Sequence, residues 1–159
     1  MSTYAAKTEV SVEKSRAELE RTLTRYGATA FAYAMETGRA AVMFEMRSRR
    51  IRFIIDMPRP DERRFTHYKR SQYGEWFART ESAAQSEWEQ GCRQIWRALN
   101  LVVKAKLEAV EAGISEFEEE FLAHILLPNG STVYEQTKEG IAYAYDTGTL
   151  PALMPGSSS

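Results

Sequence analysis

The chain has little of what most catalytic centres and metal sites need. Its 159 residues include one cysteine, Cys92, and two histidines, His67 and His124. A single cysteine excludes an intrachain disulfide and a cysteine metal cluster. No glycine-rich phosphate loop, nucleophile elbow or metalloprotease signature occurs in the sequence. We therefore predict a protein that is not an enzyme, with no catalytic residues, no metal and no cofactor.

Long hydrophobic runs are also missing. The longest ones, such as residues 125–127, are far shorter than the roughly 20 apolar residues that span a bilayer. The first residues, MSTYAAKTEV, lack the apolar core of a signal peptide. Six methionines without paired cysteines suit a reducing compartment. The sequence therefore predicts no membrane partner and a cytoplasmic location.

The composition is that of one globular domain with an uneven charge distribution. Hydrophobic residues make up 43% of the chain and charged residues 27%. We expect a single domain over residues 1–159, with flexible ends at 1–10 and 151–159. The net charge of −1 hides an asymmetry, because residues 39–79 hold eleven Lys and Arg against five Asp and Glu. The rest of the chain must then hold ten against seventeen.

Residues 28–57 predict a sheet of three antiparallel strands joined by two tight turns. Large apolar side chains recur at every second position, which is the period of a strand. The turns are expected at Thr37-Gly38 and at residues 47–49. One face is apolar throughout, while the other is small or charged and carries Arg50 and Arg52. Such a sheet is covered on one side and open, at least in part, on the other.

Helical patterns precede and follow this sheet. The first helix is expected to start at Ser15, because Ser15 and Glu18 form a capping box, although Ser11 is an alternative start. After the sheet, residues 58–80 show no periodicity and are predicted as a long surface loop, with a short helical turn near Trp76.

The second half of the chain reads as helical. An apolar stripe from Glu81 predicts a long helix that ends at Gly113. Ser115 and Glu118 form a second capping box that opens a short helix, and a last helix is expected from Tyr134 to Tyr145. The predicted fold class is α+β: an N-terminal helix, then a three-stranded antiparallel meander covered on one face by the long helix and the shorter C-terminal helices.

Three segments together resemble a family of small proteins encoded by tailed bacteriophages and prophages. These are VEKSRAELERTLTRYGA, the hairpin after it, and WEQGCRQIWRALNLVVKAKLEAVEAGISEFEEEFLAHILLPNGSTV. The resemblance covers most of the chain and is weakest at residues 58–86 and at the two ends. It implies no reaction. It implies a bacterial host cytoplasm during infection, and a role alongside phage genome processing or host takeover.

A basic, aromatic stretch is the candidate functional site. Cations neutralise phosphates and aromatic rings stack on unpaired bases, so this mixture favours single-stranded nucleic acid. The candidate phosphate contacts are Arg50, Arg52, Arg63, Arg64, Lys69 and Arg70, and the candidate stacking residues are Tyr68, Tyr73 and Trp76. The same pattern is typical of a solvated charged surface with aromatic side chains that pin the loop to the core.

Other functions stay open. The 58–80 loop and the helix ends could instead bind and modulate a host or phage protein, including a bacterial defence component. A basic pocket would also suit a small nucleotide. The apolar surface of the long helix favours core packing, with a homodimer through its protruding end as the alternative.

Two further patterns favour ordinary structural roles. Arg93, Arg97 and Lys104 form a sparse basic stripe, which is typical of the wet side of an amphipathic helix. Glu120 and His124 share a helix face at i, i+4, but a metal site needs further ligands that the sequence does not identify.

Overall fold

A computed structural model describes residues 3–153, and the side chains of residues 12–153. In chain order the elements are α1 (Thr3–Arg25), β1 (Ala30–Glu36), β2 (Arg39–Met46), β3 (Arg49–Asp56), α2 (Arg63–Thr66), β4 (His67–Lys69), β5 (Trp76–Ala78), α3 (Glu81–Glu111), α4 (Phe117–Glu120), a 3-10 turn (Leu122–His124) and α5 (Val133–Thr147). The predicted α+β class, with its meander, long helix and shorter C-terminal helices, is confirmed.

The meander has the order β1-β2-β3, and both pairs are antiparallel. Phe31, Phe44 and Ile51 lie opposite one another across the three strands, as the alternating pattern predicts. The second turn is unusual, because Arg47 and Ser48 both have positive φ, at 49° and 61°. Left-handed backbone at both turn residues matches the right-handed twist of the strands it joins.

Helices cover the apolar face of the meander. Leu19 and Leu23 of α1 and Trp96 of α3 are fully buried there. The Trp96 ring lies 5.4 Å from that of Tyr33 on β1, and Phe121 after α4 meets Phe44 edge-on at 5.9 Å. Aromatic pairs at these separations favour particular ring orientations and stabilise the core beyond the apolar area that they bury. The core therefore lies between the sheet and the α1–α3 layer.

Both predicted capping boxes are wrong. The first helix begins at Thr3, so Ser15 lies inside it, and its carbonyl accepts a hydrogen bond from Asn100 Nδ2 at 3.4 Å. Helix α4 begins after Glu116, and the Ser115 hydroxyl donates to Glu120 at 2.7 Å instead of capping. Of the ends predicted to be flexible, residues 1–2 and 154–159 lie outside the described residues, and residues 3–10 belong to α1.

The segment predicted as a long loop contains structure. Helix α2 makes one turn, and β4 and β5 pair as a small antiparallel hairpin, so Trp76 lies in a strand and not in a helical turn. Strands of three residues are too short to show a period of two. Buried Phe65 anchors α2 against Gly91 of α3, where an added Cβ would lie 3.0 Å from the phenyl ring.

The C-terminal third returns to the edge of the sheet. After Gly113, whose φ is 76°, residues 117–124 turn back, and the Leu126 amide donates to the Arg50 carbonyl of β3 at 2.8 Å. The Thr132 hydroxyl then caps α5 by accepting from the Glu135 amide at 3.2 Å. Helix α5 has no buried residue. Within residues 3–153, no helix is long and apolar enough to cross a membrane.

Candidate nucleic-acid interface

Arg50 lies on the outer face of the meander, opposite Glu45 of β2. Its side chain is 75% exposed, and its Nε is 3.6 Å from a Glu45 carboxylate oxygen. An exposed ion pair of this length contributes little to stability, because water screens it. Arg50 is therefore free to exchange Glu45 for another anion.

Arg52 shares this face, but its guanidinium is already engaged. Arg52 Nη2 donates to Glu135 Oε1 at 2.7 Å, and the arginine side chain is only 20% exposed. This hydrogen bond, supported by the charge of Arg52, holds the pKa of Glu135 below its usual value. Arg52 thus ties the first turn of α5 to the sheet, and a phosphate would have to displace Glu135 to reach it.

Two cations, one from α2 and one from β4, lie over the ring of Trp76 on the β4–β5 hairpin. Arg63 is 5.0 Å from the centre of the indole ring and the Lys69 ammonium is 4.9 Å from it. Beside them, Arg70 lies 4.7 Å from the centre of the Phe77 ring. Tyr73 is 93% exposed near the hairpin tip. Cations over aromatic faces within about 6 Å are attracted by the ring quadrupole.

Arg64 and Tyr68, the other two predicted site residues between positions 58 and 80, both contact neighbouring side chains. Arg64 Nε donates to Glu62 Oε2 at 2.7 Å and lies over the Phe65 ring. The pKa of Glu62 is lowered, first by the Arg59 amide and then by Arg64. Tyr68 is half-buried, with its ring 5.7 Å from that of Phe77.

Arg79 holds this small unit together. Its Nη1 is 3.0, 3.2 and 2.9 Å from the carbonyl oxygens of Arg64, Phe65 and His67. Its backbone amide donates to the Thr66 carbonyl at 2.8 Å. One arginine therefore joins the end of β5 to α2 and to the start of β4. Sequence reasoning missed this role, since Arg79 is indistinguishable from the other cations of the stretch.

The predicted site divides into two parts. Arg63, Lys69, Arg70, Tyr68, Tyr73 and Trp76 gather on the hairpin and α2. Arg50 lies near the start of β3, whereas α2 and the hairpin follow the end of that strand at Asp56. At about 3.3 Å per residue, Arg50 and Asp56 are roughly 20 Å apart along the strand. Among the described contacts, none joins Arg50 or Arg52 to the hairpin.

A second basic surface runs along the seam between α1 and α3. Its lining includes six cations and one carboxylate, Glu18; the cations are Lys14, Arg21, Arg25, Arg93, Arg97 and Lys104. We call this surface the α1–α3 groove. Sequence reasoning assigned Arg93, Arg97 and Lys104 to a wet helix face and did not connect them with α1. The signal was present as cations at helical spacing on both helices, but their pairing is a tertiary contact.

Cys92, Glu120 and His124 are each held in local structural contacts. Burial, with the neighbouring Glu89 carboxylate, raises the pKa of the Cys92 thiol to about 11, which makes the thiolate scarce. Glu120 is hydrogen-bonded to Ser115 and Lys106, while His124 stacks on Phe53 with ring centres 4.0 Å apart. In the part of the chain described, no three His, Cys, Asp or Glu side chains converge as metal ligands would.

Comparison of the chain with protein-family models, curated proteins and solved structures found no significant match. The resemblance to phage-encoded proteins therefore stays a prediction from sequence.

Proposed function

We propose that this protein binds single-stranded nucleic acid through the α2 and β4–β5 unit. The observation that carries the proposal is the position of Arg63 and Lys69 over the Trp76 ring. A base that displaces one of these cations can stack on the indole face, and the displaced cation can then neutralise a flanking phosphate. Tyr73 at the exposed hairpin tip offers a second stacking surface.

The charges of this unit support the same function. Arg63, Lys69 and Arg70 have no carboxylate within 4.0 Å among the described side chains, so their charges are not neutralised locally. Releasing the counterions around a nucleic acid favours binding to such cations. Arg50 adds an outlying contact on the sheet face. Arg52 and Arg64 contribute less, because carboxylates already hold both side chains.

The proposed setting is the cytoplasm of a bacterial host, where the protein acts as a non-enzymatic phage accessory factor. This setting rests on the sequence resemblance alone.

Fluorescence anisotropy with a labelled 20-mer of deoxythymidine tests the proposal. Trp76→Ala should weaken binding by about 5- to 150-fold, because one lost stacking contact costs about 1–3 kcal/mol. Tyr145→Ala, which removes an exposed aromatic side chain from α5, is the matched control and should leave affinity unchanged. Absence of binding by the unaltered protein at 20 mM salt would refute the proposal.

A protein-interaction function is the second candidate, and α5 favours it. This helix buries none of its residues, and Tyr134, Ile141 and Tyr145 stay exposed at spacings of seven and four residues, which places them on one face. A pull-down from host lysate with and without nuclease separates the two functions. A partner retained after nuclease treatment, and lost with Ile141→Lys, would favour interaction through α5.

A further inference from the structure

We infer that the α1–α3 groove is a second nucleic-acid contact, which binds the phosphodiester backbone without reading its bases. The inference rests on the proposed function in that the ligand is the same nucleic acid. The surface differs, because it includes no residue of the hairpin.

Contacts between α1 and α3 fix the position of one helix along the other. Asn100 Nδ2 donates to the Ser15 carbonyl, and the Tyr26 hydroxyl donates to the Glu108 carboxylate. These contacts show that α1 and α3 run in the same direction, which brings Arg21 of α1 level with Lys104 of α3. Cations of both helices therefore line the groove, which has an open volume of about 740 Å³.

The described part of the groove concentrates positive charge. Among the side chains described, none of its six cations has a carboxylate within 4.0 Å. Six positive charges against one negative charge give the lining a formal charge of +5, in a chain whose net charge is −1. Like charges gathered in one groove repel each other and work against folding, unless an anion binds there.

The dimensions suit a polyanion better than a single ion. On α3 the cations extend from Arg93 to Lys104, eleven residues or about 16 Å along the helix axis. A strand of nucleic acid with one phosphate per 3.4 Å of helix axis would present about five phosphates over that length. A small nucleotide would engage only part of this row. None of the described side chains that line the groove is aromatic, so these residues offer charge without base stacking.

This chemistry predicts a different ligand response from that of the hairpin. Phosphates are common to single strands and duplexes, so the groove should contribute to binding of both. Stacking on Trp76 requires an unpaired base and should contribute only to single strands.

The experiment measures binding of a labelled deoxythymidine 20-mer and a labelled 20-base-pair duplex between 20 and 200 mM salt. The groove variant carries Arg21→Gln and Lys104→Gln, one exposed cation from each wall. The matched control carries Arg39→Gln and Lys138→Gln, which removes the same charge from exposed positions outside both surfaces. Thermal unfolding without ligand checks folding, and the groove variant should be no less stable than the control, because it loses like-charge repulsion.

The groove variant should bind both probes at least about tenfold more weakly at low salt than the control. The slope of log affinity against log salt should fall by about 1.4 for the single strand and about 1.8 for the duplex. Trp76→Ala should weaken only single-strand binding.

Other outcomes separate the two proposals. If the groove variant binds both probes like the control while Trp76→Ala loses single-strand affinity, the groove inference is overturned and the hairpin function stands. If Trp76→Ala has no effect while the groove variant is weakened, the hairpin function is overturned and the groove stands. If the unaltered protein binds neither probe at 20 mM salt, both are overturned.

Discussion

His124 is a half-buried ring whose environment disfavours its charged form. It stacks on Phe53, and burial together with the nearby Lys106 ammonium lowers its pKa below the usual 6.5. A hydrogen bond to the Arg52 backbone opposes this shift only in part. The folded protein therefore takes up a proton at His124 less readily than the unfolded chain does.

This difference predicts a pH dependence of stability. Above pH 6.5 the ring is neutral in both states, and the contribution of His124 to the free energy of unfolding is fully present. As pH falls below 6.5 the unfolded state gains the proton first, so the free energy of unfolding should decrease between pH 7 and pH 5. Urea unfolding at half-unit intervals measures it.

His124→Gln, which cannot titrate, should show a flatter profile over the same interval. Equal slopes in the variant and the unaltered protein would contradict the assignment. The interval stops at pH 5 because Glu120 and Glu135, whose pKa values are also lowered, lose their contributions at more acidic pH.

At the level of elements, the hairpin depends on one side chain. Pairing of β4 with β5 covers three residues each and leaves all of β5 exposed, so little apolar burial holds it. A two-stranded hairpin is marginal by itself in water. The hydrogen bonds from Arg79 to three carbonyls supply the missing attachment to α2.

Arg79→Met should therefore release the hairpin while keeping the aliphatic stem. We expect a loss of about 1–2 kcal/mol in the free energy of unfolding, because carbonyls lose their donor. Chymotrypsin should also cleave faster near Tyr73 and Trp76. Arg39→Met, which removes an exposed cation from β2 outside the hairpin, is the control and should change neither quantity. Unchanged cleavage in the Arg79 variant would show that pairing alone holds the strands.

Across the whole molecule, stability is unevenly distributed. Helix α3 buries Cys92, Trp96, Leu99, Val103 and Leu107 in the core, whereas α5 buries no residue and is attached through Arg52 and its capped first turn. Elements with few buried apolar contacts open with a smaller free energy than the core.

Hydrogen exchange should resolve this difference. Amides in the second half of α5 should exchange at least about tenfold faster than those between Trp96 and Leu107. Arg52→Gln should speed exchange in α5 further and leave α3 unchanged, because it removes the ion pair with Glu135. Equal protection of the two helices would mean that α5 unfolds only together with the core.

The same unevenness explains which parts of the fold were predictable. The strands at residues 28–57 and helix α3 each bury one apolar face, and burial of one face imposes a period that the sequence displays. Helix α2 and the β4–β5 hairpin bury little, so they impose no period. The capping box at Ser15 and Glu18 is a local signal, and the helix continued through it because nothing in the chain breaks α1 before Gly27.

The sequence by itself determined the α+β class, the two faces of the meander and the extent of the long helix, because these follow from the spacing of residues that are neighbours in the chain. Only the tertiary structure decided which charges meet. It paired Arg52 with Glu135, placed Arg63 and Lys69 over the Trp76 ring, and brought cations of α1 and α3 into one groove. Charge interactions act through space and impose no period along the chain. Two helices more than fifty residues apart in sequence can therefore form one basic groove that no sequence pattern predicts.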